Sequence, residues 1–185
     1  HTKMAKTLRQ RNWPRSKNTR SCCWQPDQRI DFVNYEELQI QNADLNMKEM
    51  DLSEVSGLSG LYFNGNIAIE KKLTQTQKTC VLAEELGHHY TTVGNILDQS
   101  DPGAMKQERK ARLWAYNELI GLSGIIQGYK AHCRSRYDLA KYLDVTEEFL
   151  DEALACYRNK YGTSVELDGY LIVFEPSLAV LENFV

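Results

Sequence analysis

The chain has 185 residues, of which 42% are hydrophobic and 25% charged, the proportions of an ordinary globular protein with one core-forming domain. No apolar run approaches the roughly 20 residues that a membrane-spanning helix needs, and no apolar stretch typical of a secretory signal follows the first basic residues. The five cysteines are odd in number, irregularly spaced and without a C-x-x-C pair. Composition therefore argues against a membrane partner and a disulfide framework, and it favours a reduced cytoplasmic protein.

The net charge of −3 conceals a basic N-terminal segment. Residues 1–31 carry eight Lys or Arg and only two acidic residues, Asp27 and Asp31. A basic tail can bind nucleic acid, but this one has almost no periodic apolar pattern, and the chain opens with His rather than Met. We expect residues 1–31 to be a disordered extension or an artefact of the start of the sequence. Nucleic-acid binding is not expected, unless through this segment.

The folded part is predicted to begin near residue 32. Asn34 is a capping residue for a short helix to about Gln41, and residues 46–52 have the pattern of a strand. Residues 61–63 and 67–69 flank Asn64-Gly65, whose preference for positive φ angles predicts a tight hairpin.

Two long helices are predicted next. The capping box Thr74-x-x-Gln77 opens a helix to about residue 92 that buries Val81, Leu82 and Leu86. A polar loop over 98–103 leads to a second helix over about 104–127, which Gly121 and Gly124 loosen near its end.

The C-terminal part is predicted to contain two further helices and a hairpin. The helices span 137–143 and 146–160, and Gly162 ends the second one. Residues 165–167 and 170–174 flank Asp168-Gly169 and predict the hairpin. The fold class is therefore α+β, with helices dominant.

The segment LAEELGHH, residues 82–89, is one residue away from the H-E-x-x-H helix of zinc peptidases. Positions 84 and 88 share one helix face, so Glu84 and His88 can bind one ion, and this register leaves Glu85 as the acid beside it. If residues 85 and 89 were the ligands, Leu86 would occupy the position of the base, and leucine cannot act as a base. The first register is therefore favoured.

A hydrolytic zinc site needs a third protein ligand. Glu108 lies twenty residues after His88, a spacing typical of a loop followed by an antiparallel helix. Asp98 and Asp101 are rivals, although they lie in the polar loop. Cys80 lies about 12 Å from His88 along the helix axis, too far to share the ion.

The residues from about 32 to the C-terminus resemble the ImmA/IrrE family of metallo-endopeptidases, especially members from Gram-positive phages and mobile elements. The resemblance rests on LAEELGHHYTT (residues 82–92) and ERKARLWA (residues 108–115), and more loosely on residues 137–162 and 174–176. It implies a zincin-like metallopeptidase core over 32–128, a C-terminal helical and hairpin segment over 129–185 that docks a partner, and a single zinc ion.

The resemblance also implies a substrate, a transcriptional repressor of the Xre helix-turn-helix type. By position, Glu84, His88 and Glu108 correspond to the metal ligands and Glu85 to the general base. The departure is Glu84, where the family has His. Two carboxylates would leave a divalent ion with no net charge, which makes its bound water less acidic and relaxes selectivity towards Mn²⁺ or Fe²⁺.

Residues around the ligands are assigned from the sequence as well. Arg112 lies four residues after Glu108 and is expected to hold Glu84 in place. His89 is expected to pack beside the site rather than bind the ion, and Tyr90, Tyr116 and Arg112 are all candidates for stabilising the transition state. His132 and Cys133 are adjacent, but this pair is not expected to bind a metal.

A DNA-binding alternative arises from residues 139–150, whose apolar pattern resembles a helix-turn-helix unit. The second helix begins TEEFLDE, and its four carboxylates would repel phosphates. A docking element for a partner protein is preferred. Three functions remain open, namely a metallo-endopeptidase acting on a repressor, a non-catalytic anti-repressor that acts by binding, and a DNA-binding regulator.

Overall fold

The computed structural model describes residues 33–52, 57–91 and 102–182, and for residues 102–104 the backbone only. The predictions for residues 1–31 and for Asp98 and Asp101 lie outside this part of the chain. Within it, no helix is long and apolar enough to cross a membrane.

The N-terminal half forms a small sheet against two helices. Helix α1 (Tyr35–Gln41) has the predicted cap, since Asn34 accepts from the backbone N–H of Glu37. Strands β1 (Asn46–Met50), β2 (Gly60–Phe63) and β3 (Asn66–Glu70) have the order β1-β3-β2. The predicted β2–β3 hairpin is confirmed, with φ of 48° at Asn64 and 78° at Gly65. The parallel pairing of β1 with β3 was not predictable from local pattern.

Helix α2 (Gln75–Thr91) starts at the predicted capping box, in which the backbone N–H of Thr74 donates to Gln77 Oε1 over 3.0 Å. Leu82 and Leu86 are fully buried, while Val81 is only partly buried.

The prediction of one helix over 104–127 is wrong at both ends. Helix α3 (Pro102–Leu119) begins earlier, because proline is well suited to the first helical position. The chain then breaks at Gly121, whose φ is 58°, and continues as α4 (Gly121–Lys130).

The C-terminal part contains α5 (Arg136–Tyr142), α6 (Glu147–Tyr161) and a second sheet of β4 (Ser164–Leu167), β5 (Tyr170–Val173) and β6 (Ala179–Glu182) in that order. The predicted helices and the β4–β5 hairpin are confirmed, and β6 was not predicted. The apolar residues that resembled a helix-turn-helix pattern are buried core residues, Leu139, Ala140, Leu143, Val145 and Leu150. The fold is α+β and mainly helical.

One hydrophobic core joins these elements. It contains residues from both sheets and from every helix, among them Leu38, Ile69, Leu86, Tyr157 and Ile172. The core therefore extends across the boundary predicted between residues 128 and 129.

Candidate metal and catalytic site

The site is built where α2 and α3 pack closely together. Ala111 and Ala115 of α3 are fully buried, and Gly87 of α2 packs against the backbone of Ala111. A Cβ atom on Gly87 would clash with the backbone carbonyl of Ala111, and its distance from the Ala111 carbonyl carbon would be 2.9 Å. Small residues on both helices therefore bring the polar faces of α2 and α3 within reach of each other.

This packing brings His88 and Glu108 together. His88 Nε2 lies 3.3 Å from Glu108 Oε2, and the two side chains are 27% and 43% exposed. This pair was predicted from the spacing of the two residues and from the family resemblance. An imidazole nitrogen and a carboxylate oxygen at this distance across a helix pair can share one ion or one proton.

Glu84 is half-buried on the same face of α2. The pKa of its carboxyl group is raised from 4.5 to about 7, mainly by burial and also by repulsion from Glu152 and Glu108, whereas the positive charge of Arg112 opposes the shift. A buried carboxylate with acidic neighbours is poorly stabilised unless it binds a proton or a cation.

Arg112 does not hold Glu84 in the expected way. Its Nε donates to Glu108 Oε1 over 2.6 Å, and its Nη1 donates to Glu152 Oε2 over 3.5 Å. Both of these hydrogen bonds go to other carboxylates, so Arg112 affects Glu84 through its charge.

The side chain of Glu85, on α2, packs against strand β2. Burial raises the pKa of its carboxyl group to about 7, and the charge of Glu84 adds to the shift, while a hydrogen bond from the backbone of Tyr62 opposes it. A Cβ atom on Gly60 would lie 2.5 Å from Glu85 Oε1. The bare backbone of Gly60 therefore leaves the space that the carboxylate of Glu85 occupies.

His89 and Tyr90 fix α2 to its neighbours. Tyr62 Oη lies 3.1 Å from His89 Nδ1, and the two rings pack edge to face. The hydroxyl of Tyr90 donates to Asn42 Oδ1, and its ring lies 5.0 Å from that of Trp114. Both side chains are thus bonded to groups outside the Glu84–His88–Glu108 face.

Two further residues belong to the site. The hydroxyl of Tyr116 donates to Glu152 Oε2 over 2.8 Å, although Tyr116 is only 2% exposed. From the sequence, Tyr116 is a candidate for stabilising the transition state, and Glu152 counts only as one of the charges that disfavour DNA binding. No local signal marks Glu152, because it lies on α6, 44 residues after Glu108 in the sequence.

By their chemistry the donors suit a divalent cation, since they are an imidazole and half-buried carboxyl groups that resist ionisation without a counter-charge. The side chains are not arranged around such an ion. Among the described residues, no three His, Cys, Asp or Glu side chains are placed so that they could hold a metal. Two side chains of the predicted trio, His88 and Glu108, are in contact.

The other metal candidates lie apart from this site. Cys80 is buried, which raises the pKa of its thiol to about 11 and keeps it protonated. Cys133 donates to the carbonyl of Asp138 in the α4–α5 connection, beside an exposed His132.

Comparison with known proteins gives one match. A family model described as Peptidase M78, IrrE N-terminal-like domain, matches residues 36–155, more than half of the chain. This range runs from α1 into α6 and includes every site residue described above. Comparisons with curated proteins and with solved structures give no significant match.

Proposed function

Since the chain belongs to the Peptidase M78 family of IrrE N-terminal-like domains, we propose that it is a metal-dependent endopeptidase. Glu85 is the general base, and Glu84, His88 and Glu108 hold the ion. The observation that carries the proposal is the contact between His88 and Glu108, next to a Glu85 whose pKa is raised to about 7. A general base works best when its pKa lies near the operating pH.

A bound Zn²⁺, Mn²⁺ or Fe²⁺ would supply a Lewis acid for the scissile carbonyl and would lower the pKa of a bound water. Glu84 and Glu108 together would neutralise its charge, so we expect a weaker Lewis acid than in a site with two His and one Glu. This ligand set also favours Mn²⁺ or Fe²⁺ more than the two-His set does.

Glu85 carries the proton transfers. Its carboxylate takes a proton from the water that attacks the carbonyl and delivers it to the departing amine nitrogen. The backbone of Tyr62 and the bare backbone of Gly60 hold that carboxylate against β2.

Strand β2 is the place where a peptide substrate would bind. It is an outer strand of the sheet β1-β3-β2, and an extended peptide can pair with such an edge through backbone hydrogen bonds. The exposed side chains of Leu61 and Phe63 offer apolar contacts along the same strand. A peptide paired with β2 would pass beside Glu85.

The substrate that the resemblance implies is a helix-turn-helix repressor of the Xre type, cleaved in the cytoplasm. Helices α5 and α6 provide a separate surface for docking such a partner. The exposed acids at the start of α6, Glu147, Glu148 and Asp151, favour a basic partner surface over DNA phosphates.

The experiment that tests catalysis compares the wild-type protein with Glu85→Gln on a peptide library, with Zn²⁺, Mn²⁺ or Fe²⁺ added in turn. We expect cleavage by the wild type and a loss of about 10³-fold in rate for the variant, because proton transfer contributes about this factor. Glu166→Gln, an equal charge change on exposed β4, is the control and keeps full activity. Equal rates for Glu85→Gln and the wild type would contradict the proposal.

A non-catalytic anti-repressor is the second candidate. It is favoured by the hydrogen bond between Arg112 and Glu108, which engages a proposed ligand with a cation of the protein itself. In a reporter assay with an Xre-type repressor, this function predicts that Glu85→Gln relieves repression as well as the wild type does.

A further inference from the structure

A chain of polar contacts runs from α2 through α3 to α6. His88 Nε2 lies 3.3 Å from Glu108 Oε2, Glu108 Oε1 accepts from Arg112 over 2.6 Å, and Arg112 donates to Glu152 over 3.5 Å. Glu152 is therefore connected to the proposed ligands through one residue, Arg112.

Arg112 is the cation of this chain. Its guanidinium group remains charged under all relevant conditions, and it lies among the carboxylates of Glu108, Glu152 and Glu84. It therefore provides at this place the positive charge that a divalent ion would provide. The hydrogen bond engages Oε1 of Glu108, whereas Oε2 is the oxygen that faces His88. The positive charge of Arg112 nevertheless offsets the negative charge of Glu108 that would attract an ion, and a guanidinium next to a divalent ion is repelled by it.

Glu152 has a second partner besides Arg112. Its Oε2 accepts from the hydroxyl of the buried Tyr116, whose backbone carbonyl accepts in turn from Tyr157 Oη over 2.8 Å. The side chain of Arg112 is long and 47% exposed, so it can move between its two carboxylates without repacking the core.

We propose that Arg112 competes with the metal ion for Glu108, and that Glu152 is the positioning residue that draws Arg112 away from Glu108 when the ion binds. This inference rests on the proposed metal site. It reverses the role expected from the sequence, in which Arg112 supports the ligands.

The test measures metal affinity rather than activity. Zn²⁺ and Mn²⁺ are titrated calorimetrically into chelator-treated wild-type, Arg112→Gln, Glu152→Gln and doubly substituted protein. We expect Arg112→Gln to bind the ions about tenfold more tightly, and Glu152→Gln to bind them about tenfold more weakly, at the lower end of effects from residues around metal ligands. Both side chains are about half exposed, and thermal melting verifies that the variants fold.

The double variant separates an indirect from a direct role of Glu152. If Glu152 acts through Arg112, Glu152→Gln has no effect in the Arg112→Gln background. A purely electrostatic effect of its carboxylate would remain in that background and would overturn the positioning role. Glu166→Gln repeats the charge change away from the site and leaves affinity unchanged.

The remaining outcomes distinguish the two proposals. Weaker metal binding by Arg112→Gln, with normal binding by the wild type, overturns the competition and leaves the metal-dependent function intact. If Arg112→Gln binds the metal ions and the wild type does not, the competition between Arg112 and the ion is supported. An absence of binding in every variant overturns both.

Discussion

At the scale of single residues, position 84 decides what kind of site this is. An imidazole there would be neutral at pH 7, whereas a carboxylate must lose a proton before it can bind an ion. Burial and the acidic neighbours Glu108 and Glu152 raise the pKa of Glu84 to about 7. Glu85 is adjacent, and the charge of Glu84 makes the ionisation of Glu85 less favourable.

This pair predicts a pH dependence of stability. In the ion-free protein both carboxyl groups have a pKa of about 7, against 4.5 for an ordinary glutamate. Between these values the folded state binds more protons than the unfolded state, so the free energy of unfolding falls as pH rises from about 4.5 to 7. We expect their combined contribution to fall by about 2 kcal/mol, allowing for partial exposure to solvent.

Urea unfolding in the presence of a chelator, at pH 5 and at pH 7.5, measures this effect. The matched control is the Glu84→Gln/Glu85→Gln variant, which lacks both titrating groups and keeps the contributions of all others. Parallel pH profiles for the wild type and the control would mean that these two carboxyl groups do not resist ionisation.

At the scale of elements, the packing of α2 on α3 sets the distance between the ligands. Gly87→Ala would place a Cβ against the backbone of Ala111, which cannot rotate away as a side chain can. We expect a loss of about 3 kcal/mol in the free energy of unfolding, because overpacking forces a backbone shift. The helices would also separate at the His88–Glu108 contact.

Urea denaturation measures the stability of this variant, and calorimetric titration of Mn²⁺ measures the effect on the site. Gly124→Ala in α4 is the control, since its Cβ would meet only the Cδ2 atom of Leu143 at 3.1 Å. Alanine is preferred to glycine within a helix by about 1 kcal/mol, so this variant remains near wild-type stability. Equal stabilities of the two variants would show that close approach of α2 and α3 is not needed.

At the scale of the whole molecule, the C-terminal helices complete the core and the site together. Thr76 at the start of α2 donates to Asp144 in the α5–α6 turn, and Tyr157 of α6 donates to the backbone of α3. Helix α6 also brings Glu152 to the site. The segment predicted for partner docking is thus a structural part of the same unit.

A chain that ends at Ala131 therefore should not fold. It would lack large buried side chains of the C-terminal part, namely Leu139, Leu143, Phe149, Leu150, Tyr157 and Ile172. Each contributes about 1.5–3 kcal/mol on burial, and their sum approaches or exceeds the whole stability of a typical domain. Circular dichroism during urea titration would show no cooperative transition. A cooperative transition would establish residues 32–131 as an independent domain.

Local sequence patterns determined most of the secondary structure. Asn34, Thr74 with Gln77, Asn64-Gly65 and Gly162 are caps and turns whose geometry depends on residues a few positions apart, and each prediction was confirmed. The spacing of residues 84, 88 and 108, together with the family resemblance, also predicted that His88 and Glu108 lie close together.

Only the tertiary structure decided the rest. Strand β1 pairs with β3, which is distant in sequence. Helix α6 likewise brings Glu152 to the site, where it accepts hydrogen bonds from Arg112 and Tyr116. Which carboxylates Arg112 contacts therefore depends on residues far apart in the chain. Burial, which raises the pKa of Glu84 and Glu85, is likewise a property of the packed molecule. Helical periodicity specifies which face a carboxylate lies on, but the charges and the solvent around it are set by what the fold packs against that face.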